Sequence, residues 1–149
     1  MRKRTGRVTD SSLDFAKIQK PVHVAFLCDT GGMSGKSKET FEQVVGENDL
    51  DDKFMTSTIR LDDLESPSPL TLRKIRKLDF IVPVHLGMVD EVKRRLELVK
   101  SLDKPEVLEV GSWSAVYDEP DQVKSVNLLR KMRARLFPER RRDDENKDR

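Results

Sequence analysis

The chain has 149 residues, with 29 Lys and Arg against 27 Asp and Glu, a formal net charge of +2 and 38% charged against 36% apolar residues. That length suits one domain of about 100–150 residues with a real core, and the longest unbroken apolar run, residues 24–28, falls far short of the ~20 residues of a membrane span. A single cysteine, Cys28, excludes a disulfide framework, and two separated histidines, His23 and His85, make no metal motif, so neither metal nor cofactor is expected.

The elements follow in chain order. Residues 1–19 open with Arg2, Lys3, Arg4 and Arg7 and read as a basic, flexible segment; no apolar signal region follows them, so the expected location is cytoplasmic, away from any membrane. Residues 22–28 form a nearly continuous apolar run, the pattern of a strand covered on both faces. Residues 37–45 place Phe41, Val44 and Val45 on one helical stripe, with Gly46 as the stop. Residues 54–61 are β-branched but mixed, which places that strand nearer a sheet edge. The Ser66-Pro-Ser-Pro69 stretch is a rigid connector, and 69–77 is a short basic helix opened by proline.

Residues 78–84 form a third strand in which Pro83 suits the last positions. Residues 89–102 form an amphipathic helix through Val89, Val92, Leu96, Val99 and Leu102. Residues 105–110 alternate as a fourth strand. Residues 121–137 form a helix that buries Val123, Val126, Leu129, Met132 and Leu136, its bases mainly on the opposite side. The tail, 138–149, has no aliphatic or aromatic side chain and reads as disordered and charged. Strands alternating with helices predict an α/β fold of three layers, a four-stranded, mainly parallel sheet flanked by helices, in one domain over 20–137.

Chemistry concentrates between the first strand and its helix, in Cys28-Asp-Thr-Gly-Gly-Met-Ser-Gly-Lys-Ser37. Ligands of a parallel α/β sheet bind beyond the carboxyl ends of its strands, which is where this loop lies. Glycines allow successive N–H groups to face one anion, and the helix N-terminus adds positive charge. The candidate phosphate-binding set is Thr30, Gly31, Gly32, Ser34, Gly35, Lys36 and Ser37. Three chemistries compete for it. A nucleotide P-loop matches at Gly35-Lys36-Ser37, but its first position falls on Thr30 instead of glycine. A cysteine phosphatase would use Cys28 as nucleophile, ionised by the N–H cradle; a cysteine at the end of a buried strand is equally a core residue. A phosphocarrier would hold a phosphoryl group on the same cysteine.

On these residues the chain resembles the low-molecular-weight protein tyrosine phosphatase family across about residues 22–137. The strand ending in Cys28, Lys36-Ser37 before a helix, the apolar strand running to His85, and Tyr117-Asp-Glu-Pro120 before the last helix carry the likeness. The resemblance implies a four-stranded parallel sheet flanked by helices and hydrolysis of a phosphorylated substrate, with Cys28 as nucleophile and Asp118 as general acid, although Ser112 or Trp113 takes that place in an ungapped alignment. The family pattern C-x5-R-[ST] puts Ser34 where its arginine stands, and the nearest base, Lys36, lies two residues on. The Gly32-Met33-Ser34 run is also similar to the loop of the cytosolic IIB component of sugar phosphotransferase systems, which needs no arginine. A phosphatase fold used only for binding or regulation is the remaining alternative, and Asp29 beside the nucleophile favours it.

Charge suggests one more partner. Residues 124–142 sum to +7, a feature that suits an anionic partner at the final helix. Phe137 is the single aromatic there, so base stacking on nucleic acid is not indicated. Trp113 and Tyr117 are expected in the core or as a pocket wall, His23 as a structural residue, and His85 at the ligand edge.

Overall fold

The computed structural model describes residues 13–28, 32–65, 68–98, 105–113 and 120–137. Four strands, β1 (Val22–Cys28), β2 (Phe54–Arg60), β3 (Phe80–Pro83) and β4 (Glu106–Val107), form one sheet in the order β2-β1-β3-β4. Every pair is parallel. The helices are α1 (Gly32–Glu47), α2 (Pro69–Lys77), α3 (Val89–Leu98) and α4 (Asp121–Leu136).

The near-continuous apolar β1 is central because both of its faces are covered. Val22, Val24, Phe26 and Cys28 enter one core with Phe41, Val44 and Val45 of α1 and Val126, Leu128, Leu129 and Met132 of α4. Ala25 and Leu27 enter the other with Ile75 of α2 and Val92 and Leu96 of α3. The expected α/β sandwich of three layers is therefore present, with β2 at an edge.

Local signals set several boundaries. Ser68 Oγ accepts the Thr71 amide at 3.2 Å and Pro69 opens α2. Pro83 closes β3, where a missing N–H costs no ladder bond. β4 is shorter than expected, two residues at the sheet edge, with Leu108 N still bonded to Ile81 O at 3.0 Å.

Three expectations change. The helix expected over 37–45 runs Gly32–Glu47, through Gly35 and Gly46, because burial of Phe41 and Val44 outweighs the ~1 kcal/mol a helical glycine costs. Its stop is Asp49, at φ 59°: Asp49 N bonds Gly46 O and Leu50 N bonds Val45 O, a left-handed cap usually held by glycine. The body also begins before residue 20, since Leu13 and Phe15 are core residues, Phe15 packs edge-on to Phe54 at 5.1 Å, and Arg133 Nε donates to Asp14 O at 2.8 Å.

α4 differs most. Val126, Leu129 and Met132 are buried as expected and Leu136 is half-buried, but Val123 is 42% exposed while Lys124 is fully buried. The bases lie mainly off the packed side, as expected, with Lys124 the exception. Elsewhere on α4 the bases turn back to the body: Lys131 Nζ donates to Glu109 O at 2.5 Å, and Arg135 pairs with Glu106 at 2.6 Å. These contacts also line a cleft of ≈ 350 Å³ between α3, β4 and α4. Residues 1–12 and 138–149, the expected flexible ends, lie outside the described residues.

Candidate functional site

β1 ends at Cys28 on the carboxyl edge of the sheet, and α1 begins at Gly32. Cys28 is fully buried, on the face that packs under α1 and α4. Asp29, Thr30 and Gly31 lie outside the described residues, as do Tyr117 and Asp118. Three residues separate β1 from α1, where the sequence reading expected eight. The segment expected as an irregular cradle, from Gly32 to Ser37, forms the first turns of α1.

This changes which donors are free. Helix geometry leaves the first-turn amides of Gly32, Met33 and Ser34 without intrahelical acceptors, whereas the amides of Gly35, Lys36 and Ser37 face carbonyls one turn back. Lys36 is exposed, with its carbonyl accepting from Thr40 Oγ1 at 3.1 Å. Ser37 is fully buried. A Cβ at Gly35 would meet nothing within 4 Å, so that side of the helix faces open space.

Two cations that the sequence reading missed belong to the same edge. Arg60 ends β2 as the register partner of Cys28. In-register neighbours of a parallel pair point to one face, and Phe54 shares the Val22 core while Ile59 shares the Leu27 core, so counting by two brings Arg60 out on the Cys28 side. Its side chain is exposed and makes no ion pair among the described residues. Nothing in a β-branched strand marks its last residue as a neighbour of Cys28; only register shows it.

The second is Lys124, 3.7 Å from Asp121 in the first turn of α4. Arg135 at Glu106 and Lys131 at Glu109 show that α4 runs antiparallel to β4, so its N-terminus lies at the carboxyl edge. Leu136 lies beside Val22 in a cleft at the opposite edge. From there to Lys124 the helix climbs about 18 Å, close to the ~20 Å from Val22 to Cys28 along β1. Lys124 therefore lies toward the carboxyl edge of the sheet, on the α4 side.

Trp113 is 1% exposed and packs edge-on to Phe26 at 5.5 Å, the core role expected of it. Its backbone N donates to Val84 O at 2.8 Å, one position past the Leu27–Pro83 register pair and so level with Cys28. Its indole Nε1, by contrast, has no hydrogen-bond partner. An orphaned buried donor costs about 1–3 kcal/mol. His85 is half-buried at the end of β3, on the ligand edge, and His23 sits within β1 with its amide on Asp79 Oδ2 at 2.9 Å. Among the described residues no group of His, Cys, Asp and Glu could hold a metal ion, and no helix is long and apolar enough to cross a membrane.

No protein-family model matches the chain, and no curated protein matches it. Two solved structures are similar to it over most of its length. YfkJ from Bacillus subtilis is 10% identical, with 83% of this chain and 96% of that one covered and a TM-score of 0.43. A protein tyrosine phosphatase from Entamoeba histolytica is also 10% identical, with 83% and 99% covered and a TM-score of 0.44.

Proposed function

We propose that this chain binds a phosphate-like oxyanion at the carboxyl end of β1, under the first turn of α1, with the Cys28 sulfur at the floor of the site. The observation that carries this reading is the short step from Cys28 to Gly32. An anion held by the first-turn amides meets the residue that ends the central strand. The side chains of Arg60 and Lys36, and the carboxyl-edge position of both Cys28 and α1, support it.

In its fuller form the site is a cysteine phosphatase of the low-molecular-weight type. The Cys28 thiolate would form an S–P bond as the P–O ester bond breaks, an acid such as Asp118 would give its proton to the leaving oxygen, and water would then cleave the S–P bond to release phosphate. Burial of Cys28 and the lack of an arginine between Cys28 and Ser37 favour a second form, in which the site binds and does not turn over. Losing one preorganised transition-state donor costs about 10²–10³ in rate.

Alkylation of Cys28 by iodoacetamide, with and without phosphate or vanadate, tests the binding. Saturable protection supports it, and a thiol indifferent to both anions sinks it. Hydrolysis of p-nitrophenyl phosphate that is lost in Cys28→Ser separates the phosphatase from the binding module.

A further inference from the structure

The edge strand β4 turns one residue's backbone wholly outward. Glu106 N donates to Asp79 O at 3.1 Å and Leu108 N to Ile81 O at 3.0 Å, so both amides face β3. Each peptide is planar and trans, which turns the Pro105 and Val107 carbonyls the opposite way. In the parallel ladder the Glu106 carbonyl also faces β3, so the Val107 N–H points outward with the Val107 carbonyl. Among the described residues neither Val107 group has a partner.

This edge is open to a guest. The cleft between α3, β4 and α4 adjoins a second of ≈ 350 Å³, and together they run along β4 from Pro105 to Glu109. Their charges balance, with Lys93, Lys131 and Arg135 beside Glu97, Glu106 and Glu109, and Arg135 pairs with Glu106 at 2.6 Å. No excess charge selects an anionic partner here or repels a second copy.

A residue with both groups turned outward is complementary to itself. Directly opposed residues of an antiparallel hydrogen-bonded pair exchange both N–H···O bonds, so Val107 and the partner's Val107 satisfy each other across a two-fold axis. Two residues along, the same register sets Glu109 against the partner's Pro105. Proline has no N–H to give there. The acceptor it would leave empty, Glu109 O, already takes a bond from Lys131 Nζ at 2.5 Å. The missing donor and the occupied acceptor thus fall at the same place, a match particular to a second copy of this chain.

We propose that β4 pairs antiparallel with β4 of a second copy, on a two-fold axis at Val107, and joins the two sheets into one. The paired stretch is short and flanked by charged side chains, which keeps such an edge from pairing indiscriminately. A small interface of this kind gives a weak dimer that forms as concentration rises.

Sedimentation velocity of the full-length protein over a concentration series, with hydrogen exchange at the Val107 amide, tests this. The expected result is a monomer that passes to a dimer, with Val107 exchange slowing about tenfold or more as it does. Val107→Pro, which removes the outward N–H at a position where an edge tolerates proline, should stay monomeric throughout. A dimer that persists in folded Val107→Pro overturns the proposal. A monomer at every concentration also overturns it: a fast Val107 amide then leaves the edge to a partner of other sequence, and a protected one shows that the chain covers its own edge. Should Val107→Pro not fold, a mixture of isotope-labelled and unlabelled wild type decides. An intermolecular Hα–Hα contact between Glu106 and the partner's Leu108 supports the pairing, and a dimer without that contact overturns it.

Discussion

Cys28 and Arg60 stand opposite each other at the carboxyl ends of adjacent parallel strands, with their side chains on the same face of the sheet. Arg60 is the guanidinium that strand register sets beside Cys28, whereas Ser34 holds the arginine position of a C-x5-R pattern. Lys36, the nearest base in the sequence, sits in the second turn of α1. Arg60→Gln should therefore weaken phosphate protection of Cys28 about tenfold, and Lys36→Gln by less. Arg60→Lys should restore only part, because an ammonium lacks the planar fork that grips two oxygens. Equal losses in the Arg60 and Lys36 variants would remove the case for Arg60.

Asp121 is a counterion of the fully buried Lys124, at 3.7 Å. Asp121→Ala should cost about 2–3 kcal/mol in urea unfolding, less than the full cost of stranding a buried charge because Lys124 keeps other contacts. Lys124→Met should be close to neutral, since methionine fills the same space without a charge to compensate.

An aromatic chain crosses the layer beneath α1 and α4: Phe15 to Phe54 at 5.1 Å, Phe54 to Phe41 at 5.8 Å, Phe41 to Phe26 at 5.4 Å and Phe26 to Trp113 at 5.5 Å. Phe26 is fully buried and touches two of these rings. Phe26→Ala should cost about 3–5 kcal/mol and shift Trp113 emission to the red as water reaches the indole. A loss below 1 kcal/mol would show that the layer collapses around the gap.

The end of α1 has its glycine in the wrong place. Gly46 is helical, and Asp49 takes the left-handed position at φ 59°. Asp49→Gly should stabilise by about 0.5–1 kcal/mol. Gly46→Ala should add about 1 kcal/mol of helix propensity, because the contact it creates, 3.2 Å to Asp51 Oδ1, is with an exposed side chain that can move. A destabilised Gly46→Ala would mean that Asp51 is held.

Glu91 of α3 bonds Arg94 at 2.6 Å and Arg95 at 2.7 Å, and these hydrogen bonds, Arg94 first, hold its carboxyl below the ordinary glutamate value. A folded-state value that is depressed contributes stability above the unfolded value and loses it as pH falls through the folded one. The stability difference between wild type and Glu91→Gln should therefore shrink as pH drops from about 5 into the acid range. It should also shrink with added salt, since the group is solvent-facing. A difference that is constant with pH would mean that the pair does not hold in solution.

Much of this fold is written locally. The apolar run of β1, Pro69 at the start of α2, Pro83 at the end of β3, and the stripes of α3 and α4 mark elements whose identity depends on side-chain pattern within a few residues. Hydrophobic periodicity is a local property, so the α/β class and the central place of β1 were legible, as was Cys28 at the carboxyl edge. The start of α1 was not, because Gly32 and Gly35 are poor helix formers whose helical state is decided by the burial of Phe41 and Val44 further on. The cap at Asp49 escaped for the converse reason, since Gly46 was the better local candidate.

The candidate site divides in the same way. Its cysteine and its glycine-rich approach could be read from the chain, but the place of Arg60 and the burial of Lys124 could not. Arg60 becomes a neighbour of Cys28 only through strand register, which relates segments thirty-two residues apart. Lys124 becomes a core residue only because α4 turns it, instead of Val123, toward the sheet. Register and helix rotation are set by the packing of whole layers, and it is that packing, absent from any local pattern, that set Arg60 beside Cys28 and buried Lys124.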